Sequence, residues 1–338
     1  MASKKGPRKG PKKVEYRPGM RARVLYGSAA LPLLIILLCV LFASACPEQL
    51  VWSSAARAVL LTLPRWLVLL WVPWGLWAAW NRSPAGLPVA AVAVVASGWP
   101  TPADDEGVGL QFVVANVQAY ADEPEVLEAA ITGMGPDIVI AIEQRVRKLK
   151  GLDRVAHNYD RDLPRPSHGT AVFCRKGLLC SAEVTGEIGP EDCSMPLTLV
   201  QVEAQLCVVG IHAPPPAPIC GAGLQPYVEH VAGHIEDGRV SREFGPCAVG
   251  DPVLVAGDLN QVPGSRAWRT LVDTGLEDQL TWHGIWAASW PNGGGWPKLP
   301  FFRLDQVLAG PMDVGPVDLV DLPGADHRAL RFRVSSAG

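Results

Sequence analysis

Several apolar segments of this chain run directly into a polar residue that can bind a metal ion or transfer a proton. The clearest is VLVAGDLN, residues 253–260, in which an aliphatic run ends on Asp258 and Asn260. Short apolar runs of this length are typical of buried β-strands. An ionised carboxylate at the end of such a strand is costly to bury unless it is paired or binds a cation. The pattern therefore predicts a sheet protein with a polar cleft at one edge of its sheets.

The same pattern recurs in the C-terminal two-thirds of the chain, at predicted strands over 108–117, 136–142, 205–211, 303–309 and 327–334. The polar residues at or beside the ends of these strands are Asn116, Glu143, His212, Asp305, Asp326 and His327. If the strand ends meet at one rim, they form a cleft lined with carboxylate, amide and imidazole groups. A hard cation with oxygen ligands is the natural partner of such a cleft.

Helical patterns alternate with these strands over residues 122–134 and 224–237, and a further helix is expected to begin near Ser265. Two strands, 197–204 and 205–213, follow each other closely enough to form a hairpin. Strands that alternate with helices and also pair as hairpins predict an α/β sandwich with mixed sheets. They do not favour a doubly wound parallel sheet.

The order of the motifs, N…E…GxH…GDLN…RLDxV…DHR, spans roughly residues 108–334 and resembles the endonuclease/exonuclease/phosphatase superfamily. The resemblance implies the four-layer α/β sandwich of deoxyribonuclease I, with two mixed β-sheets. It also implies hydrolysis of phosphate esters with Mg²⁺ or Mn²⁺. By this resemblance Glu143 is the principal metal ligand, and Asn116 and Asp326 belong to the same metal site.

The resemblance also implies catalytic roles for five residues. Asp258 positions or deprotonates the attacking water, and Asn260 holds that water or a phosphate oxygen. His327 faces the scissile phosphate with its tautomer fixed by Asp305, while His212 donates to a phosphate oxygen. These residue types suit the chemistry, because imidazolium donors neutralise developing charge and a carboxylate orients water. Whether Asp258 or His327 is the general base stays open.

The N-terminal part of the chain predicts a membrane region over residues 24–99. Residues 24–44 carry no charge over a length sufficient to cross the hydrocarbon core, and 58–80 and 85–99 are further candidate helices. A buried helical hairpin is the alternative. The tail, residues 1–23, holds nine Lys or Arg and one Glu, which favours a cytoplasmic N-terminus.

Three spans would place the catalytic domain, residues 108–338, outside the cytoplasm after a linker at 100–107. Two spans would leave it inside, and we favour three. A second interpretation of the first apolar run is a lipoprotein signal, because FASAC ends on Cys46 after small residues. The N-terminal spans also resemble those of a membrane-anchored bacterial subgroup that includes teicoplanin-resistance proteins.

Charge bears on the substrate. The formal net charge is −3, and because the tail contributes +8, the rest of the chain carries −11. Duplex DNA is bound mainly through Lys and Arg, and no basic run is expected in the catalytic part. We therefore expect a lipid-linked or membrane-surface phosphate as substrate, in envelope metabolism or glycopeptide resistance. The alternatives are a membrane-tethered nuclease for DNA or RNA and a non-catalytic binding protein. The sequence gives no signal for the oligomeric state.

Cysteines and tryptophans leave further questions open. Six cysteines follow residue 100, an even number that permits disulfides in an exported domain, but free buried thiols are the expectation for most. Cys174 is assigned to packing. Four tryptophans surround the sequence PNGGG: Trp282, Trp286, Trp290 and Trp296. They fit an apolar wall for a lipid or sugar as well as they fit packing. His168 fits a surface loop as well as the site.

Overall fold

The computed structural model describes ten stretches of the chain and, before residue 109, the six positions 59, 62, 72, 73, 76 and 90. The stretches are residues 109–117, 124–143, 148–157, 169–185, 188–189, 194–203, 205–215, 220–280, 286–293 and 298–335. The tail, the three predicted membrane segments and the linker lie outside the described residues, apart from those six positions. Among the helices of the described stretches, none has the length and apolar character needed to cross a membrane.

The ten described stretches contain three helices and seventeen strands. The helices are α1 (Pro124–Gly133), α2 (Gly221–Ala232) and α3 (Arg266–Val272). The strands are β1 (Leu110–Asn116), β2 (Ile138–Ile142), β3 (Leu152–His157), β4 (Thr170–Arg175), β5 (Cys180–Val184), β6 (Leu197–Val202), β7 (Leu206–His212), β8 (Ile235–Glu236), β9 (Arg239–Val240), β10 (Val253–Asp258), β11 (Glu277–Asp278), β12 (Trp290–Asn292), β13 (Lys298–Phe302), β14 (Asp305–Ala309), β15 (Asp313–Val314), β16 (Asp318–Asp321) and β17 (Arg328–Ser335).

Two mixed sheets form the centre of the molecule. The first has the order β15–β17–β1–β2–β4–β3, with β16 also paired to β17, and the second has the order β11–β14–β10–β7–β6–β5. In each sheet the two central strands are parallel, β1 with β2 and β7 with β10. The other pairs in both sheets are antiparallel. The prediction of an α/β fold with mixed sheets is confirmed.

The sheets pack face to face, and helices cover their outer faces. One core cluster lies between the sheets and includes Phe112 and Ile140 from the first sheet and Leu254 from the second. On the outer face of the first sheet, Leu127 and Ile131 of α1 are fully buried. Burying each such side chain contributes about 1.5–3 kcal/mol. Helices α2 and α3 cover the second sheet, which gives the layer order helix, sheet, sheet, helix.

The predicted helix 224–237 is wrong at its C-terminal end, because α2 stops at Ala232. Residues 235–240 form instead the hairpin β8–β9. Asp237 and Gly238 between its strands have φ values of 48° and 69°, as a two-residue turn between twisted strands requires. The helix expected near Ser265 is present, and the Ser265 side chain caps it by accepting a hydrogen bond from the Trp268 backbone.

The expectation of mostly free cysteines is wrong. Cys174 pairs with Cys180 and Cys207 pairs with Cys247. Cys220, which directly precedes α2, is buried. The first bridge joins β4 of one sheet to β5 of the other, so Cys174 links the two sheets and does more than fill space. The second bridge ties β7 to the chain between β9 and β10.

Candidate active site

The candidate site lies at the rim where the carboxyl ends of the two central parallel pairs meet. Asn116 is the last residue of β1, and Glu143 follows β2 directly. His212 and Asp258 end β7 and β10 and lie opposite each other in register. Because β14 runs antiparallel to β10, its first residue, Asp305, lies opposite Asp258. Each of these polar side chains is therefore positioned by a buried strand.

One side-chain amide connects the two sheets at this rim. Asn116 Nδ2 donates to Glu143 Oε1 at 3.1 Å and to Asp258 Oδ2 at 3.0 Å. Glu143 Oε1 also lies 3.0 Å from His212 Nε2. The ligand atoms of Glu143, His212 and Asp258 all lie within 4.8 Å of one another. These four residues form one cluster although more than a hundred positions separate the first from the last.

His327 extends this cluster. Its Nδ1 lies 2.8 Å from Asp305 Oδ2, and its Nε2 lies 3.8 Å from Asp258 Oδ2. All three side chains are almost fully buried. The bond to Asp305 fixes the ring with Nδ1 toward that carboxylate and Nε2 toward Asp258. We call Asn116, Glu143, His212 and Asp258 the Glu143 cluster. Since Asp258 also lies next to His327, this cluster and the His327–Asp305 pair form one continuous network.

The backbone at the rim takes unusual conformations. Glu143 and Asn260 have φ values of 63° and 53°. Such conformations cost about 1–3 kcal/mol each and are found most often at functional sites. Gly257 has a φ of 132°, and a Cβ there would collide with the carbonyl oxygen of Ile211. Glycine is therefore required at this point for β10 to lie beside β7 and place Asp258 at the rim.

Asn260 contacts the chain around the site. Its backbone N donates to Asp258 Oδ1 at 2.7 Å, and its Nδ2 donates to the carbonyl oxygen of Ala213 at 2.9 Å. Both bonds hold protein groups in place, the first a carboxylate of the cluster and the second the chain just after β7. The expected contact of Asn260 with water or a phosphate oxygen stays a prediction.

Asp326 lies at the edge of the same network. Its Oδ2 accepts a hydrogen bond from Trp290 Nε1 at 3.4 Å, and its main-chain oxygen accepts one from the Asn292 backbone at 2.7 Å. Burial raises the pKa of Asp326, with the charge of Glu143 adding to the effect and that of His327 opposing it. The structure thus brings all eight predicted site residues to one rim, with Asp326 and Asn260 at its border.

The pKa values of His327 and Asp258 are both strongly shifted. Burial alone lowers the pKa of His327, but the negative charges of Asp305 and Asp258 outweigh it and raise that pKa to about 10. Burial raises the pKa of Asp258 to about 6, with His327 opposing the shift and Asp305 adding to it. At neutral pH His327 is therefore a cation, and Asp258 is a carboxylate that binds a proton readily.

Glu143 and His212 each favour the charged form of the other. Burial works against the charged form of Glu143, but hydrogen bonds from His212 and Asn116 outweigh it and lower its pKa. Burial likewise lowers the pKa of His212, whereas its bond to Glu143 and the charge of that residue raise it overall. His212 Nδ1 is buried and has no hydrogen-bond partner within the described chain.

This set of side chains fits a hard divalent cation. The converging groups are Glu143, Asp258, Asp305, Asp326, His212 and His327. With every group ionised, the four carboxylates exceed the two imidazoliums in charge, which a bound cation would balance. Carboxylate oxygens are the ligands that Mg²⁺ and Mn²⁺ prefer. Glu143, whose side chain is 22% exposed, is reachable from solvent, and Asp258 and His212 are its neighbours with ligand atoms.

We expect His327 to stay protonated at neutral pH when no metal is bound. Because its pKa is raised from 6.5 to about 10, the folded protein holds this proton more tightly than the unfolded chain does. That stabilisation is fully present below pH 6.5 and is lost as the pH rises through about 10. Nitrogen-15 NMR of histidine-labelled protein in a chelator should show the imidazolium form up to about pH 9. Asp305→Asn should lower the pKa of His327. A titration midpoint of His327 near the ordinary value of 6.5 in the wild type would contradict the expected protonated state.

Three residues support the site through contacts that the sequence did not predict. Ser289 is fully buried beside Asp305. Trp290 binds Asp326, although its tryptophan cluster was assigned only to an apolar wall or to packing. Tyr227 Oη accepts from the His212 backbone at 3.2 Å and donates to the carbonyl oxygen of Pro196. Trp282, Trp296 and His168 lie outside the described residues.

Comparison with known proteins gives one family. The model of the endonuclease/exonuclease/phosphatase family matches residues 113–335, which is well over half of the chain. The match covers all eight predicted site residues. None of the curated proteins is significantly similar to the chain.

Solved structures with similarity to the chain share little sequence with it. A functionally unknown conserved protein from Enterococcus faecalis is 13% identical over 67% of this chain and 100% of that chain, with a TM-score of 0.48. The 3′ phosphatase NExo from Neisseria, bound to product DNA hairpin, is 14% identical over 67% and 99%, with a TM-score of 0.48. The mannosyl-6-phosphatase of Bacteroides thetaiotaomicron is 12% identical over 67% and 99%, with a TM-score of 0.44.

Proposed function

Because the chain belongs to the endonuclease/exonuclease/phosphatase family, we propose that it hydrolyses phosphate esters with the help of a divalent metal ion, Mg²⁺ or Mn²⁺. The observation that carries the proposal is the continuous network from Glu143 through Asn116 and Asp258 to the His327–Asp305 pair. A non-catalytic binding protein would not need a buried carboxylate in contact with a buried imidazolium, which is costly to maintain.

The shifted pKa values support a division of roles. Asp258, with its pKa of about 6, is able to accept a proton from water at neutral pH. His327, protonated and held by Asp305, donates from Nε2 to a phosphate oxygen and stabilises the charge that develops there. We therefore assign Asp258 as the general base. A divalent cation at Glu143 would supply further stabilisation of negative charge on the phosphate.

We further propose that the domain is anchored to the membrane by residues 24–99 and faces an oxidising, extracytoplasmic compartment. The apolar N-terminal segments and the basic tail support the anchor. The two disulfides support the compartment, because disulfides persist mainly outside the reducing cytoplasm. A role in envelope metabolism or glycopeptide resistance rests on the resemblance to the teicoplanin-resistance subgroup.

A lipid-linked or membrane-surface phosphate is the substrate class that we propose. Trp286 and Leu299 are large apolar side chains with 49% and 67% of their surface exposed. Leu299 belongs to the hairpin β12–β13, and Trp286 lies just before it. Trp290 of the same hairpin contacts Asp326 at the rim. We call Trp286 and Leu299 the apolar edge, and exposed apolar side chains on or next to a hairpin that reaches the rim suit a substrate with a hydrocarbon tail.

A nuclease is the second candidate function, and one groove favours it. The groove has a volume of about 970 Å³ between α1 and β3, and its lining includes Lys148, Lys150, Arg154 and Lys176. The expectation of no basic run in the catalytic part is wrong, since RVRKLK occupies residues 145–150. Cationic side chains of this kind suit a phosphate backbone. Three carboxylates, Glu125, Glu128 and Asp153, also line the groove and weaken its positive character.

A substrate panel tests the proposal. The full chain in detergent, with Mg²⁺, would be incubated with polyisoprenyl phosphate and diphosphate, phosphatidylglycerol, single- and double-stranded DNA, and bis(p-nitrophenyl) phosphate. We expect kcat/KM for at least one lipid substrate to exceed that for DNA by about tenfold or more. Trp286→Ala should reduce turnover of that lipid and leave turnover of bis(p-nitrophenyl) phosphate unchanged.

The other outcomes of the panel are equally informative. Preference for DNA, with a loss of activity in Lys148→Ala/Lys150→Ala, would replace the lipid proposal by the nuclease. If no substrate were turned over, the interpretation of the chain as a non-catalytic binding protein would remain. Equal loss of lipid and soluble-probe activity in Trp286→Ala would remove the assigned role of the apolar edge.

A further inference from the structure

Ser289 makes hydrogen bonds at the start of two strands, β14 and β17, beside the His327–Asp305 pair. Its Oγ accepts from the backbone N of Leu304 at 3.2 Å and from that of Asp305 at 3.1 Å. Its carbonyl oxygen accepts from the backbone N of Arg328 at 3.0 Å. Arg328 is the residue directly after His327. One side chain and one peptide group thus connect the start of β14 to the start of β17.

The surroundings of Ser289 make this connection rigid. The residue has no exposed surface, and its own N donates to the carbonyl oxygen of Phe302 at 2.8 Å. Next to it, Trp290 and Asn292 hold Asp326 by a side-chain and a backbone bond. The short segment 289–292 therefore contacts Asp305 itself and the two residues that flank His327 in the chain, Asp326 and Arg328. The backbone N–H groups of Leu304 and Asp305, which donate to Ser289 Oγ, are costly to leave without an acceptor.

We propose that Ser289 is a positioning residue for the His327–Asp305 pair. The inference rests on the proposed function, because it assigns Ser289 a part in phosphate-ester hydrolysis. Within the described residues, Ser289 makes no hydrogen bond to the imidazole of His327 or to the side chain of Glu143, and it acts through the backbone of Asp305 and Arg328. The hydroxyl fixes the position of the Asp305 backbone, and that position sets the distance and angle at which the Asp305 carboxylate meets Nδ1 of His327. Nε2 is thereby aimed at the reacting phosphate.

The test compares Ser289→Ala with Ser289→Thr in the full chain in detergent, with Mg²⁺ and bis(p-nitrophenyl) phosphate. A small misplacement of a catalytic group costs about 100-fold in rate, so we expect Ser289→Ala to lower kcat by about 10- to 100-fold. KM should change by less than about twofold, because the probe binds through groups that Ser289 does not contact. Ser289→Thr keeps the hydroxyl and should retain a kcat within about threefold of wild type.

A second pair of variants covers loss of folding in Ser289→Ala. Thr and Val have the same shape but differ in the hydroxyl, so Ser289→Thr and Ser289→Val separate packing from hydrogen bonding. Higher kcat in the Thr variant supports the inference. Equal kcat in the two variants overturns it, as does a Ser289→Ala variant with wild-type kcat.

One readout does not depend on the substrate. The proton NMR resonance of His327 Nδ1–H, recorded at pH 7 in a chelator, reports the bond to Asp305 directly. We expect it to shift or disappear in Ser289→Ala and to persist in Ser289→Thr. An unchanged resonance in Ser289→Ala would overturn the inference. If wild-type protein hydrolyses none of the substrates, the proposed function fails, and this resonance still decides whether Ser289 positions the pair.

Discussion

Replacing Asp258 by asparagine should lower kcat for phosphate-ester hydrolysis by about 10²- to 10⁴-fold. Asparagine has nearly the same shape but accepts no proton from water. Asp258 is also the point of contact between the Glu143 cluster and the His327–Asp305 pair, with Asn116 3.0 Å and His327 Nε2 3.8 Å from its Oδ2. The substitution therefore removes the proposed base and the negative charge between the two groups at once.

The measurement is kcat for bis(p-nitrophenyl) phosphate with saturating Mg²⁺. Asp313→Asn is a matched control, because Asp313 is exposed on β15 and pairs with Ser335 at the opposite end of the first sheet. The control should keep wild-type kcat. The pH profile of the wild type should lose activity below about pH 6, as Asp258 takes up a proton. An Asp258→Asn protein with more than about a tenth of wild-type kcat would show that the base lies elsewhere.

Removing the Cys207–Cys247 disulfide should lower the free energy of unfolding by about 4 kcal/mol. The bridge closes a loop with a sequence separation of 40, and cross-links of that span restrict the unfolded chain strongly. Cys207→Ala/Cys247→Ala should therefore lower the midpoint of thermal unfolding by roughly 10 °C in differential scanning calorimetry. Both cysteines are buried, so the alanines also lose some packing.

The second bridge is the matched control. Cys174 and Cys180 are separated by 6 positions, and the shorter loop predicts a smaller loss of about 2 kcal/mol in Cys174→Ala/Cys180→Ala. Thiol labelling of the unreduced, unfolded protein should modify neither pair. Ready labelling of Cys207 and Cys247 would show that the domain is reduced, and it would also remove the support that the bridges give to an extracytoplasmic compartment.

The position of the site followed from sequence because its residues stand at strand ends. Asn116, His212 and Asp258 each end an apolar run, and Glu143 follows one. In parallel pairs the carboxyl ends share an edge, so an apolar run followed by a polar residue carries spatial information. The mixed sheets could likewise be predicted, because strand patterns with hairpin spacing alternate with helical ones.

The edge strands were harder to predict. β3 is LDRVAH and β5 is CSAEV, and both lie at the ends of their sheets with alternating or mostly exposed side chains. Such strands lack the continuous apolar run that marks a central strand. The hairpin β8–β9 did carry a signal, the Asp237–Gly238 pair, which a helical interpretation of residues 224–237 overlooked.

The sequence does not indicate which distant residues form disulfides or hydrogen bonds with each other. The partner of each cysteine depends on which strands are neighbours, and six cysteines allow many pairings. Ser289 is a small polar residue in an irregular segment, and only the positions of β14 and β17 reveal its bonds. The same is true of Trp290, whose contact with Asp326 requires a hairpin that no periodicity predicts.

Dependence on a divalent metal tests the central claim most directly. The full chain would be stripped with a chelator, dialysed, and assayed on bis(p-nitrophenyl) phosphate before and after addition of Mg²⁺ or Mn²⁺, beside Glu143→Gln. The account predicts no turnover in the stripped protein, recovery with either ion, and a requirement for much higher metal concentration in Glu143→Gln. Turnover that survives the chelator, or a Glu143→Gln protein with the wild-type metal requirement, would contradict it.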